Sequence, residues 1–564
     1  MIRKIGMIGK TYRHANRYFE IIKVLIKYGF EDVVSQSRLE SIIDFGRKIV
    51  FRKADVKIAS LSRWERMRLV LEELGPAFIK FGQIMSTRPD LIPLELIPEF
   101  KKLQDVVPPF SEAKAVSLVE QELGKPISEI FDNFSPTPVA AASIAQVHKA
   151  VLVESKEVVA IKVQRPGIDR LIETDLEIMF HLATMMEKHV EGMKSFNIVK
   201  IAEEFERAIH KELNFSIEAS NIERFGNNFQ KDLNIYVPKC YRDYSTKKVL
   251  TMEFIEGIKI SNIESLEANS LDRKIIAKRG GDLILKQIFE FGFFHADPHP
   301  GNVFVLPENV ICFLDFGMMG TLTRTTMELI TSMAAGAINN DIDRIIRSLL
   351  RLCETTGEVN KQKLELQITE LIYRYFQKSL EQMDMSDLIN DVIIFFPENN
   401  LIIPSDLFLL GRSLLLLQGN GEMLDPDYNV AKHVEPYIKK MIRERLHIRK
   451  IAKDFFVSSE ELIQLTKELP FEIREIIEKV KNGTIKIDIE HKGLDPMLGT
   501  HERISNRISF AIVLASMIIS SSLIVLSKIP PMWNDIPVIG LIGFLAAGIL
   551  GFWLLISILR HGKM

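Results

Sequence analysis

A chain of 564 residues with 47% hydrophobic content can bury more than one core, so at least two folded units are expected. Its formal net charge of -2 lacks the basic surplus that a nucleic-acid partner demands. Three widely separated cysteines, Cys240, Cys312 and Cys353, argue against a disulfide framework and a structural zinc site, and point to a reducing, cytoplasmic setting.

Residues 1–61 read as helices with a basic bias, since up to Phe30 the residues Lys4, Lys10, Arg13, Arg17, Lys23 and Lys27 face the single acid Glu20. Such a helix suits either an anionic membrane surface or a solvated face. Lys23 and Lys27 break its apolar run and no small-residue cleavage site follows, so it does not read as a signal peptide. The string IGMIGKT imitates the end of a phosphate-binding loop, but Lys4 replaces its first glycine and no strand precedes it.

A second helical segment, 62–130, carries LGPAFIKFGQIMSTRPDLIP. Composition then changes over 131–260, where VAAASIAQVHKAVL, KEVVAIKVQ and KVLTMEFIEG are strand-like runs of Val, Ile and Ala. A long helical insertion, Ile168 to Phe229, separates the last two. From 261 to 440 the pattern is helical, broken by the hairpin NVFVLPENVICFLDFG, and a helical tail continues over 441–505. A small β-rich lobe followed by a larger helical lobe, joined near MEFIEG, predicts a two-lobed α+β fold with a cleft between.

The end of the chain, 506–564, is different. ISFAIVLASMIISSSLIVLSKI, Ile508 to Ile529, is charged only at Lys528, and VIGLIGFLAAGILGFWLLISIL, Val538 to Leu559, carries no charge. Each has roughly 20 residues, which at about 1.5 Å per residue spans the roughly 30 Å hydrocarbon core. The linker PPMWNDIP supplies helix-ending prolines and an interfacial Trp. Arg503 and Arg507 before the hairpin, and Arg560, His561 and Lys563 after it, place both outer ends on the cytoplasmic side. This predicts a multi-pass membrane protein with a cytoplasmic catalytic domain. Gly543, Ala547 and Gly551 recur every four residues and make a face for the partner helix or for a second copy, a route to a homodimer.

Phosphoryl transfer from ATP needs a lysine on the phosphates, a carboxylate to fix it, two Mg²⁺ ligands and a carboxylate to orient the nucleophile. The chain offers Lys162 in VAIKV, Glu218 on the following helix, Asp297 and Asn302 five apart in HADPHPGN, and Asp315 opening DFG. A competing reading makes His295, Asp297 and His299 a metal site on a strand, but Pro298, Pro300 and Gly301 disfavour a strand and suit a turn that holds Asp297 and Asn302. His295 then fixes the loop. Where a protein kinase covers phosphate with glycines, this chain has PVAAASIAQVH; alanine is less permissive, so that cover should be stiffer.

With KFGQ, STRPDLIP, AAASIAQVH, VAIKVQRPG, EASN, FFHADPHPGN, LDFG and LDPDYN all present, the chain resembles the UbiB family of atypical kinases, associated with ubiquinone biosynthesis. The resemblance implies a protein-kinase-like two-lobed fold with a helical N-terminal extension and a C-terminal transmembrane hairpin. It implies ATP or ADP with Mg²⁺ as ligands, Lys162 on the phosphates and paired with Glu218, Asp297 as the catalytic-loop aspartate, and Asn302 and Asp315 on the metal. Ala140, Ala141, Ala142 and Ser143 become an altered phosphate cover favouring ADP, and Glu253 joins the nucleotide-binding residues. Lys80 and Gln83 belong to an extension that folds over the peptide site, and Glu212 to the acidic motif that meets it. That motif reads Glu-x-Asp in the family, whereas here Asn214 takes the second place. Occluded peptide access implies ATP hydrolysis or a small acceptor, with a membrane lipid or quinone precursor and quinone-biosynthesis enzymes as partners.

Overall fold

The computed structural model describes residues 11–36, 60–103, 108–189, 197–375, 385–445 and 494–561, apart from isolated positions inside these stretches. The chain divides into two compact units, residues 1–452 and 453–564. Residues 5–10 of the phosphate-loop imitation and most of the expected helical tail fall outside the described residues.

In the first unit, α1 (Thr11–Lys27) buries Ile21, Ile22, Val24 and Ile26, so its apolar face is taken up by protein. Lys27 pairs with Glu73, and Arg17 with Asp175 at 2.8 Å. Membrane contact is therefore left to little more than the solvated side of this helix. α2 (Arg63–Leu74) opens with a capping box in which Ser62 and Glu65 satisfy each other's backbone N–H groups, and α3 (Pro76–Ser86) follows directly.

After α4 (Glu112–Leu123) comes an antiparallel sheet of β1 (Phe131–Asp132), β2 (Ala140–Ala141), β3 (Ala145–Leu152), β4 (Val158–Gln164) and β6 (Val249–Glu253). Its order is β1-β3-β4-β6, with β2 on β3. The run expected as one strand from Val139 breaks after Ala141, because the Ala142 N–H turns back to the Ala145 carbonyl. The expected insertion is three helices: α5 (Ile168–His189), α6 (Ile198–Glu212) and α7 (Phe215–Phe229). Period-3.6 patterning runs through all three, which hides the breaks between them.

A second sheet has the order β5-β10-β9-β7, from β5 (Ile235–Tyr236), β7 (Ile258–Lys259), β9 (Val303–Leu306) and β10 (Val310–Phe313). The β9–β10 hairpin is the one predicted; the two short partners carry too few residues to signal themselves. α8 (Arg273–Lys286) leads into a π-turn at Gln287–Phe291 and then β8 (Phe293–His295), which pairs with β11 (Met319–Thr321). Next come α9 (Arg324–Asn339), α10 (Ile342–Leu352), α11 (Lys361–Tyr375), α12 (Met385–Glu398), α13 (Ser405–Leu424) and α14 (Val430–Arg445). Tyr428 of LDPDYN sits where a Cβ on Gly281 of α8 or Gly421 of α13 would stand, so those two glycines make its slot.

The second unit contains α15 (Leu494–Ser527) and α16 (Val538–His561). Ile504–Ser527 is long and apolar enough to cross a membrane, and Val538–Leu554 is a shorter apolar helix. Gly543 meets Ser521 and Gly551 meets Leu514, with Ala547 buried beside them. The small-residue face is thus used inside the helix pair, the first of its two expected uses.

Candidate active site

Alternation along β4 decides where its lysine goes. Val159, Ile161 and Val163 point into an apolar cluster with Ala115 and Val119 of α4, which sends Lys162 and Gln164 to the opposite face. Gln164 donates to the Leu213 carbonyl at 2.9 Å, and the Phe215 N–H bonds the Lys247 carbonyl, so the start of α7 is tied to the sheet. Asn214 caps that helix, its side chain accepting from the Ser216 N–H. The amide thus does the capping work open to an aspartate at this position.

One turn into α7 stands Glu218, its oxygens 3.0 and 2.8 Å from Lys162 Nζ. Phe215 lies beneath, with the Lys162 ammonium 5.3 Å from its ring centre. Burial works against the lysine charge, but Glu218 and Asp315 overcome it and hold the ammonium above its usual range. Burial likewise pushes the Glu218 carboxyl up, and Asp315 adds to this against the pull of Lys162. Asp315 is itself disfavoured by burial, yet Lys162, the Gly317 N–H and Lys80 keep it below the ordinary carboxylate range. One ammonium therefore serves two carboxylates.

The loop of residues 295–302 is fixed by its own backbone and by His295. The His295 N–H donates to Gln287 Oε1 at 2.8 Å, while its ring accepts from the Asp297 N–H at Nδ1. Nε2 consequently carries the proton and donates to the Asp315 carbonyl, joining the HADPHPGN loop to the DFG segment. Burial lowers the His295 pKa and keeps the ring neutral. Both ring nitrogens of His295 are thus occupied, and His299 Nδ1 accepts from the Gly301 N–H, so His295 serves the loop and not a metal. Among the described residues no cluster of three His, Cys, Asp or Glu groups is placed for a metal. Asn302 closes the loop, its N–H on the His299 carbonyl and its own carbonyl accepting from Leu314, just before Asp315.

The alanine loop needs no left-handed residue: Ala140 and Ala141 are extended and paired with Val147 and Gln146, and Arg165 holds the Ala142 carbonyl from below. Alanine fits this path where glycine is not demanded. The Glu253 carboxylate accepts from Tyr236 and the Lys239 N–H, and the Glu253 N–H bonds the Lys239 carbonyl, which fixes the residue at the end of β6. In the extension, Lys80 pairs with Glu212 at 2.5 Å and adds its charge to Asp315, and Gln83 donates to the Leu103 carbonyl.

These donors fit a Mg-nucleotide. Asn302 and Asp315 offer the hard oxygen ligands that Mg²⁺ prefers, and Lys162 offers a cation for phosphate. Ser143 Oγ and Asp297 Oδ1 are buried without a hydrogen-bond partner, polar atoms of the kind a ligand satisfies. Asp297 Oδ1 does lie 2.9 Å from Arg412 Nη2, as an ion pair at an angle that makes no hydrogen bond. Sequence reasoning missed Arg412, Ser413 and Asn420 of α13, Gln287, and Asn221, which ties α7 to the Phe316 carbonyl. Polar residues inside the apolar run LFLLGRSLLLLQGN were the available signal.

Comparison with known proteins agrees with this geometry. Residues 102–349 match the ABC1 atypical kinase-like domain, 368–429 the UbiB helical domain and 492–560 the ABC1/UbiB kinase-like C-terminal domain. An uncharacterized protein in the hydrogenase 1 5' region of Clostridium pasteurianum is 34% identical, covering 97% of this chain and 99% of that relative. Probable protein kinases UbiB of Marinobacter nauticus and Pseudomonas fluorescens are 32% and 33% identical, covering 83% and 80% of this chain and 86% and 85% of theirs.

Proposed function

The chain belongs to the ABC1/UbiB family of atypical kinases, associated with ubiquinone biosynthesis, and on that premise we propose a membrane-anchored, Mg-dependent ATPase or atypical kinase that handles lipid-like quinone precursors. The observation that carries the proposal is the buried Lys162–Glu218 pair with Asp315 drawn in beside it. Lys162 would lie along the nucleotide phosphates, held in place by Glu218. Asn302 and Asp315 would hold Mg²⁺, which when bound neutralises charge on the phosphates. Asp297, on its fixed loop, would orient the attacking hydroxyl or water.

Lys80 supports hydrolysis, or transfer to a small acceptor, over peptide phosphorylation. It brings the extension's charge to Asp315 while bonded to Glu212, so the extension stands at the cleft a peptide would enter. Anchoring gains support from the second unit, where Phe510 and Trp553 meet at 6.4 Å near one end of the helix pair and Trp533 is exposed at the other. Aromatic residues at two levels suit the two faces of a bilayer. A two-helix anchor then keeps the catalytic unit on the cytoplasmic side, beside precursors whose prenyl tails stay in the membrane and whose head groups pass to quinone-biosynthesis enzymes.

Phosphate release from radiolabelled Mg-ATP by the full chain tests this, with and without anionic liposomes and a quinone-like phenol, and with Asp315→Asn as control. Release that needs Asp315 and rises with membrane or phenol, without labelled acceptor, is expected. Tight nucleotide binding with neither release nor transfer would instead make the protein a nucleotide-sensing scaffold, and a stable labelled product would make it a phosphotransferase.

A further inference from the structure

Arg412 is the lone charge in the apolar run of α13, between LFLLG and SLLLL. A cation there loses solvation, and only a fixed partner offsets the loss. The partner is Asp297, 2.9 Å away, with the two side chains 25% and 26% exposed. α13 grips the same loop twice more: Ser413 Oγ donates to the His295 carbonyl at 2.9 Å and Asn420 Nδ2 to the Pro298 carbonyl at 2.7 Å. All three contacts fall on residues 295–298, and all come from the matched helical domain, 368–429, which follows the matched kinase-like domain, 102–349.

The three grips divide the work. Ser413 and Asn420 hold main chain on either side of Asp297, whereas Arg412 acts on the carboxylate alone. Without Arg412 the backbone would keep its path, while the side chain would be free to rotate or to swing toward the lysine cations. Building on the phosphoryl-transfer reading of the site, we propose that Arg412 is a positioning residue, fixing the Asp297 carboxylate for the acceptor, and that α13 makes the helical domain part of the active centre.

The test uses the full chain in lipid, with Mg-ATP turnover and thermal unfolding measured for Arg412→Gln, Arg412→Lys, Asp297→Asn and the Arg412→Gln/Asp297→Asn double variant. Arg374→Gln, which breaks a surface ion pair with Asp391 in the same domain, is the control and should leave turnover unchanged. Arg412→Gln should lower kcat by about 10²-fold, the effect of a misplaced reacting group, with KM for ATP within about 3-fold of wild type. Lysine should restore part of the loss, and the double variant should be no slower than Asp297→Asn. Unchanged or raised kcat in Arg412→Gln, or losses that multiply in the double variant, would overturn the assignment. If the wild type turns over no ATP, the functional reading falls and the pair is judged by unfolding: non-additive midpoint shifts sustain the coupling and additive shifts end it.

Discussion

Lys162 and Glu218, 56 residues apart in sequence, meet at 2.8 Å with Glu218 only 6% exposed, and Asp315 shares the same ammonium. Strand, helix and DFG segment are thereby locked to one another through a single buried charge. The lock sets the position of the cation before any nucleotide arrives.

Replacing Glu218 by Gln leaves Lys162 with Asp315 alone. Breaking a buried pair of this kind costs about 3 kcal/mol, at the low end because the second carboxylate stays. Turnover should fall by roughly 10²-fold as the ammonium shifts toward Asp315. Thermal unfolding and steady-state kinetics on the same preparation check both; a variant as active as wild type would mean that Glu218 does not set the lysine.

Asn214 holds the first turn of the helix carrying Glu218. Asn214→Ala should cost about 1 kcal/mol through the lost cap and reduce turnover, while Asn214→Asp keeps the cap and adds a favourable charge at a helix N-terminus. Aspartate is therefore expected to match or slightly exceed asparagine in unfolding midpoint. An alanine variant as stable as the parent would show that the cap carries no weight.

How much of this was legible follows from the kind of interaction. Lys162, Asp297, Asn302 and Asp315 could be placed because the roles expected of them impose short spacings on a strand, a loop and a hairpin. Glu218 was picked out, but two unforeseen helix ends lie before its own helix, at His189 and at Glu212, since helical patterning runs on past both. Arg412 reaches Asp297 across more than a hundred residues, and spacing holds no trace of such a contact. The partners of the Glu253 carboxylate, Tyr236 and Lys239, are hidden for a related reason, since neither is recognisable from the strand that bears it.

His148 gives the fold a pH dependence. Its Nδ1–H bonds the Ser135 carbonyl, its Nε2 accepts from Gln146, and the ring stacks on Phe134. Burial lowers its pKa, outweighing the Ser135 carbonyl and Glu112. The folded state therefore refuses a proton that the unfolded chain accepts near its usual value of about 6.5, so stability is full above that pH and is lost as pH falls through it. Each such proton contributes a slope of up to about 1.4 kcal/mol per pH unit. His148→Gln removes that share, so stability measured by denaturant titration between neutral and mildly acid pH should fall less steeply than in wild type; an unchanged slope would assign the acid sensitivity to other groups.

Removing residues from about His501 onward separates the two possible membrane attachments. The apolar face of α1 is buried, and Arg17 and Lys27 are held by Asp175 and Glu73, which leaves this helix little to offer a bilayer. The apolar stretch Ile504–Ser527, by contrast, is largely exposed, and each CH₂ it places in lipid contributes about 0.8 kcal/mol. The truncated chain should accordingly move from the membrane pellet to the supernatant at physiological ionic strength. If it stays with the membrane and leaves only at high salt, the basic N-terminal segment holds it electrostatically, since screening over a Debye length of about 3 Å at 1 M removes that attraction and leaves hydrophobic anchoring intact. Retention that resists salt would place an apolar anchor somewhere in the first unit, and the helix pair would no longer be the reason this protein sits at a membrane.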